Sequence, residues 1–240
     1  AFNYAINRKA IARYAFNGDA APGMSLLPMA DKGWYDPAIK APRYSISKAN
    51  ALLKRAGYKV GRNGVRIANG HQMSYTVILS TDEEGPRLRA FDIIQSDFAK
   101  IGVRLTVRIT DDATAASLEL TPSQKFDLGM WGWTPPGPDP SFMLNTYSCD
   151  QFGGWQETGY CSKAYDRLYA EQATALNVSK RRQIVFAMQK MIARALPEFM
   201  YVYENVNDIW NRAWSHFGET PDGLFSPLTV DGIDHVRYSG

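Results

Sequence analysis

The chain has little with which to do chemistry on its own. It holds only two cysteines and three histidines in 240 residues. His71, His216 and His235 are scattered, and none stands at ligand spacing from a cysteine, so a zinc site is not indicated and no cofactor is implied. No run of 18 apolar residues occurs, which rules out a membrane-spanning helix of ordinary length. There is no block of like charge: net charge is +3, and Arg87, Arg89 and Lys100 share a segment with Asp92 and Asp97. The densest basic run, "SKRRQ" at 179–183, falls on the first turns of a helical pattern and reads as a solvated face, so nucleic acid is not a partner. No Ser-His-Asp, metal or paired-acid motif is present.

Aromatic residues and proline, by contrast, are concentrated. Residues 130–142 read "MWGWTPPGPDPSF": two tryptophans flank Gly132, four prolines follow, and one carboxylate, Asp139, sits among them. Prolines order a loop before any ligand arrives, and Trp faces offer flat apolar area for stacking on a sugar ring, a peptide plane or another ring. The same tryptophans could instead fill a core. Alternation along a strand puts Trp131 and Trp133 on one face and Gly132 on the other.

Cys149 and Cys161 are separated by eleven residues of polar loop, "DQFGGWQETGY". A disulfide there closes a short loop and contributes roughly 3 kcal/mol, and it points to an exported protein; two unrelated buried thiols are the alternative.

The periodicities describe a mixed α/β chain with a single core. Residues 1–16 read as one amphipathic helix (Phe2, Ile6, Ala10, Tyr14) stopped by Gly18, and residues 20–37 as a long irregular loop. Ser45 caps a helix over 46–56, ended by Gly57, and Asn63-Gly64 and Asn69-Gly70 mark turns of a hairpin or arm. "SYTVILS" is a strand, 86–101 a helix ended by Gly102, and 103–109 a second strand, making a βαβ unit with a right-handed crossover. "DLGMWGW" at 127–133 is a third strand that runs into the Trp-Pro loop, placing that loop where open α/β sheets meet ligands. Helices follow over 163–175 and 178–195, the second capped by Asn177, then strands in 198–206 and 208–214, then a loop-like tail. Because the chain begins within a helical pattern, without initiator Met or cap, it reads as a segment of something longer.

The order "AFNYAINRKAI", "SKANALLKRAGY", a turn-rich arm, strand-helix-strand, "GWTPPGPDP" and "YCSKAYDRLYAEQ" resembles the second lobe of the family 5, or peptide-type, extracellular solute-binding proteins of ABC importers, through nearly the whole chain. The resemblance implies a periplasmic-binding-protein type II-like lobe, a mixed sheet flanked by helices. Residues 1–215 would form the second lobe, and 216–240 a return segment toward a first lobe that is missing. It also implies a receptor rather than an enzyme: extracellular or periplasmic, tethered through a missing N-terminus, monomeric, and handing a peptide or other small solute to permease subunits. Trp131, Gly132, Trp133, Thr134 and Asp139 are the expected ligand-binding residues. Peptide-binding members carry an Asp three residues after the Trp to neutralise the peptide's free amine, and here that position is Pro136. An unneutralised buried ammonium is costly, which argues against strong amine recognition there unless Asp139 substitutes. Two other readings stay open: a glycan hydrolase using carboxylates such as Asp139, Asp150 or Glu157, and a sensor built on the same lobe.

Overall fold

The computed structural model describes residues 1–83, 85–121, 125–134, 139–205, 207, 211–215 and 237–238. The N-terminal segment is not the single helix its spacing predicts. Helix α1 (Phe2–Ala5) stops at Ile6, which is extended, and Asn7 restarts the chain by accepting a hydrogen bond from the Ala10 amide at 3.1 Å. Helix α2 (Arg8–Ala10) leads directly into a π-helical turn, Ile11–Ala15. An asparagine side chain that satisfies a free amide makes such a break inexpensive. The break also rotates the apolar stripe, so Ile6, Ile11, Ala12 and Ala15 are buried while Tyr14 is 62% exposed. Gly18, with φ +85°, closes the segment as expected.

Strand β1 (Ala20–Pro22) lies inside the stretch expected to be irregular, and pairs antiparallel with a late strand, Val202–Glu204. The rest of that loop is packed rather than free, with Leu26, Leu27, Asp31 and Asp36 buried. Helix α3 (Ile46–Arg55) is capped by Ser45 as predicted. Strands β2 (Lys59–Val60), β3 (Arg66–Ala68) and β4 (His71–Gln72) form an antiparallel meander, its second turn made by Asn69 and Gly70 at positive φ.

The central unit is a parallel sheet. Strand β5 (Ser74–Ser80) lies between β6 (Arg104–Thr110) and β7 (Leu128–Gly129), and helix α4 (Pro86–Ala99) connects β5 to β6. Helix α5 (Asp112–Glu119), which the apolar pattern did not reveal, is capped by Asp111. The third strand is two residues long rather than the seven expected. Met130 still donates its amide to the Ile78 carbonyl, after which the chain leaves the sheet.

Helices α6 (Ser141–Asn145), α7 (Lys163–Thr174) and α8 (Val178–Ala195) follow, with Ser162 and Asn177 capping the last two. Strand β8 (Val202–Glu204) confirms only the middle of the strand expected over 198–206. Asn211–Ala213 is not strand, and β9 is just Trp214–Ser215, paired with β10 (Arg237–Tyr238) in the tail expected to be loop. Residues 216–236 of the expected return segment lie outside the described residues.

The expected single core divides in two. One cluster joins the N-terminal segment, α3, α4 and the parallel sheet, with Ile11, Ala15, Leu79, Phe91, Ile101 and Val103 at its centre. The other gathers Leu27, Leu144, Tyr165, Val185 and Met188 from the packed loop and α6 to α8. A three-stranded sheet offers too little apolar face for both sets of helices, so α7 and α8 bury their stripes against each other and the loop.

Candidate functional site

The Trp-Pro loop leaves the sheet at the carboxyl end of the parallel strands, beside the first turn of α4. Trp131 and Trp133 are half-buried and, as alternation requires, reach the same side: both indole Nε1 groups donate to a single oxygen, Glu157 Oε1, each at 2.9 Å. Gly132 faces the opposite way. A Cβ there would lie 2.1 Å from Arg87 Nη2, so any larger residue would require that guanidinium, which is ion-paired to Glu204 at 2.7 Å, to shift. Trp133 also packs edge-to-face with Phe142 and Trp155, each 5.9 Å away, and those two rings are 6.0 Å apart. Trp133 thus touches the second apolar cluster, while Trp155 leaves 52% of its area exposed. Thr134 is exposed.

Asp139, at the far end of the loop, is a structural anchor. Its two oxygens accept a bidentate pair from Arg181 at 2.7 and 2.9 Å, and Oδ1 accepts the Ser141 amide at 2.9 Å. These bonds, the Arg181 side chain first, hold its carboxyl down at about 2. Its charge is therefore already neutralised. Arg181 belongs to the basic run expected to be solvated, yet its side chain is only 19% exposed. It also donates to Gln172 and Ser141 and lies 4.8 Å over the Trp34 ring. The planar, five-donor guanidinium satisfies a carboxylate, an amide and a hydroxyl at once, which explains why it folds inward. Pro136 lies outside the described residues.

The expected disulfide is present: Cys149 and Cys161 are bonded, with Cα atoms 4.7 Å apart. The loop it closes contains Trp155 and Glu157, so the bond holds the carboxylate that receives both indoles. Inside that loop buried Gln156 donates to the carbonyls of Ser148 and Tyr160. Burial pushes the Glu157 carboxyl up to about 7 against the opposing pull of the two indoles. Glu119, at the end of α5, is pushed up to about 8, first by burial and then by the charges of Glu157 and Asp112.

Of the acids considered for hydrolysis, Asp139 is occupied by Arg181, Asp150 is exposed on a 3-10 turn, and Glu157 is beneath the indoles. Among the described residues no cluster of three or more His, Cys, Asp or Glu could hold a metal ion. Sequence reasoning missed Arg87, Glu119 and Arg181 as neighbours of the loop. Gly129 and Gly132 were the local signals of close approach, the first by Glu119 and the second by Arg87.

The fold is an α/β lobe of the kind found in periplasmic binding proteins. Residues 1–154 match the family described as bacterial extracellular solute-binding proteins, family 5 Middle. A di/tripeptide-binding protein of Pseudomonas aeruginosa is 25% identical over 224 residues, which cover 92% of this chain and 40% of that protein. An oligopeptide-binding protein from Thermus thermophilus, complexed with a pentapeptide, superposes with a TM-score of 0.78 at 16% identity over 99% of this chain and 42% of its own. NikZ from Campylobacter jejuni, in complex with Ni(L-His), gives 0.76 at 19% identity over 98% and 47%. The chain spans less than half the length of these proteins. It belongs to the family 5 bacterial extracellular solute-binding proteins. By its description that family consists of extracellular solute-binding proteins.

Proposed function

We propose that the chain is the second lobe of a two-lobed receptor that captures a peptide or related small solute and delivers it to an ABC importer, without chemistry of its own. The observation that carries this reading is the braced aromatic loop at the carboxyl end of the parallel sheet. Glu157 holds both indoles from one side, Arg87 fills the other, and Arg181 pins the loop's end at Asp139. Such a surface is fixed before a ligand arrives, so little ordering entropy opposes binding. Residues 1–215 form this lobe, and 216–240 return toward a first lobe that supplies the other wall of the cleft. Trp131, Gly132, Trp133 and Thr134 form the ligand-facing edge, and Asp139 contributes as the partner of Arg181. Asp139 is not a free counter-charge for an amine.

The receptor acts as a monomer outside the cytoplasm, tethered through its N-terminus, and docks on permease subunits. Peptides lead because relatives are named for them; the NikZ complex shows that other solutes are accommodated on this fold. Mass spectrometry of whatever co-purifies with the two-lobed receptor tests the reading directly. A bound peptide or small solute released on unfolding is the expected result. A two-lobed protein that is isolated empty, and that binds no peptide or metal chelate in calorimetry, would overturn it. The lobe alone should bind no tighter than about millimolar, since half a cleft cannot enclose a ligand.

A further inference from the structure

The indole pair rests on Glu157, and among the described residues neither it nor its neighbour Glu119 is in an ion pair. Glu157 Oε1 receives both indole N–H groups, while Glu157 Oε2 is buried and without a hydrogen-bond partner. Glu119, on which the charge of Glu157 acts, is 1% exposed, and among the described residues neither of its oxygens has a hydrogen-bond partner. Glu119 reaches this position because residue 129 is glycine: a Cβ there would sit 2.4 Å from Glu119 Oε1. Residues 129, 131 and 133 therefore serve one purpose on one side of the chain, the glycine admitting Glu119 and the two tryptophans meeting Glu157.

The charged surroundings are one-sided. Helix α5 adds Asp112, a further negative charge that acts on Glu119. Arg87, from the first turn of α4, faces Gly132 on the other side of the loop and is paired with Glu204 of β8. Arg181 of α8 is taken by Asp139. Among the described residues, neither Glu119 nor Glu157 is in an ion pair. Two buried like charges repel strongly where the surroundings polarise poorly.

We propose that Glu157 and Glu119 are the positioning residues of the indole pair, and that they hold Trp131 and Trp133 in place while the two carboxyls together bear a single negative charge. In that state Glu157 is ionised and accepts two N–H bonds, stronger for being made to a charge. Glu119 keeps its proton and adds no repulsion. With both groups protonated, the indoles lose the charged acceptor. With both ionised, repulsion pushes Glu157 outward on the loop that Cys149 and Cys161 close, and the indoles follow or are released. Burial lifts Glu157 to about 7 against the pull of the two indoles, and burial followed by the charge of Glu157 lifts Glu119 to about 8, which places the singly charged state near neutrality. The two steps belong to the pair rather than to either residue. The positioning stands independently of the ligand, whereas its effect on capture rests on reading the Trp-Pro loop as the ligand surface.

The test follows the indole N–H signals of the folded protein by nitrogen-edited NMR, with those of Trp131 and Trp133 assigned from Trp131→Phe and Trp133→Phe. Both signals should shift together in two steps between about pH 6 and 9. Glu119→Gln should abolish the upper step and keep the lower one. Glu157→Gln should abolish both. Signals that stay flat over this range, titrate independently of each other, or keep both steps in Glu119→Gln would overturn the proposal. The Glu119 variant decides the matter even if the Glu157 variant fails to fold. Should the ligand reading be wrong, these signals would still titrate, so the two failures are distinguishable.

Discussion

Replacing both Cys149 and Cys161 by serine should loosen the site before it loosens the fold. The two residues are 12 apart in sequence, and closing a loop of this size removes about 10 cal/mol/K from the unfolded chain, or roughly 3 kcal/mol at 25 °C. Little packing is lost on the native side, since Cys149 is half-buried and Cys161 exposed. The chain-entropy contribution should therefore dominate. For a domain of this size, 3 kcal/mol corresponds to a fall in Tm of roughly 6 to 12 °C. The loop also carries Glu157 and Trp155, so near-ultraviolet circular dichroism of the indoles should change at temperatures where the far-ultraviolet signal is intact. Calorimetry of the oxidised protein and the double serine variant, with both spectra recorded at 25 °C, provides the measurement. An unchanged Tm together with an unchanged aromatic spectrum would show that the 149–161 loop is held by its other contacts, such as Gln156 to Ser148 and Tyr160, and that the disulfide braces nothing.

Trp133→Ala should weaken ligand binding by the two-lobed receptor by about 2 kcal/mol or more, and because Trp133 packs on Phe142 and Trp155 it should also cost about 2 to 4 kcal/mol of stability in urea unfolding; unchanged affinity with lowered stability would make the loop a packing element. Arg181→Ala should cost about 1 to 3 kcal/mol, little of it from the largely exposed Asp139 pair and most from leaving the buried Gln172 Oε1 without its donor. Since the Asp139 carboxyl is held at about 2, its contribution is present above its ordinary range and lost as pH falls toward 2, so the variant should lack that part of the acid limb; equal acid midpoints by circular dichroism would refute this. Glu119 and Glu157 act in the opposite sense. Their folded-state values lie above the ordinary 4.5, so between there and about 8 the folded protein binds more protons than the unfolded chain, and stability should fall as pH rises through this window. Glu119→Gln should flatten the Tm profile there, and a profile identical to that of the parent would count against the assignment.

The parts of the fold that were legible in the sequence depend on neighbours in the chain. Ser45 and Asn177 cap their helices because a short polar side chain reaches an amide three residues on. Asn69-Gly70 turns because both residues tolerate positive φ. β5, α4 and β6 each carry enough apolar residues at one period to declare themselves. What failed depends on distant partners. The segment 1–16 has a four-residue apolar repeat, but Arg8 donates to the Met200 carbonyl, 192 residues away, and Asn7 offers an inexpensive restart, so two short helices fit better than one. β1 exists because β8 pairs with it. The division of the core likewise follows from how few strands the sheet has, which no local pattern records.

The same distinction runs through the site. That Trp131 and Trp133 share a side with Gly132 opposed follows from alternation alone, and the common bond to Glu157 agrees with it although the strand ends at Gly129. What the indoles meet on that side could not be read locally, because Glu157 is 24 residues from Trp133 and arrives through a disulfide-closed loop. The two glycines of "GMWGW" hold the remaining information in compressed form. A glycine in an extended segment marks a close approach by another group, and here there are two approaches from opposite sides, Glu119 at Gly129 and Arg87 at Gly132. Alanine at 129 would need Glu119 to move, and with it the charge balance behind Glu157. Alanine at 132 would need Arg87 to move away from Glu204. The acid on one side and the guanidinium on the other hold Trp131 and Trp133 half-buried between them.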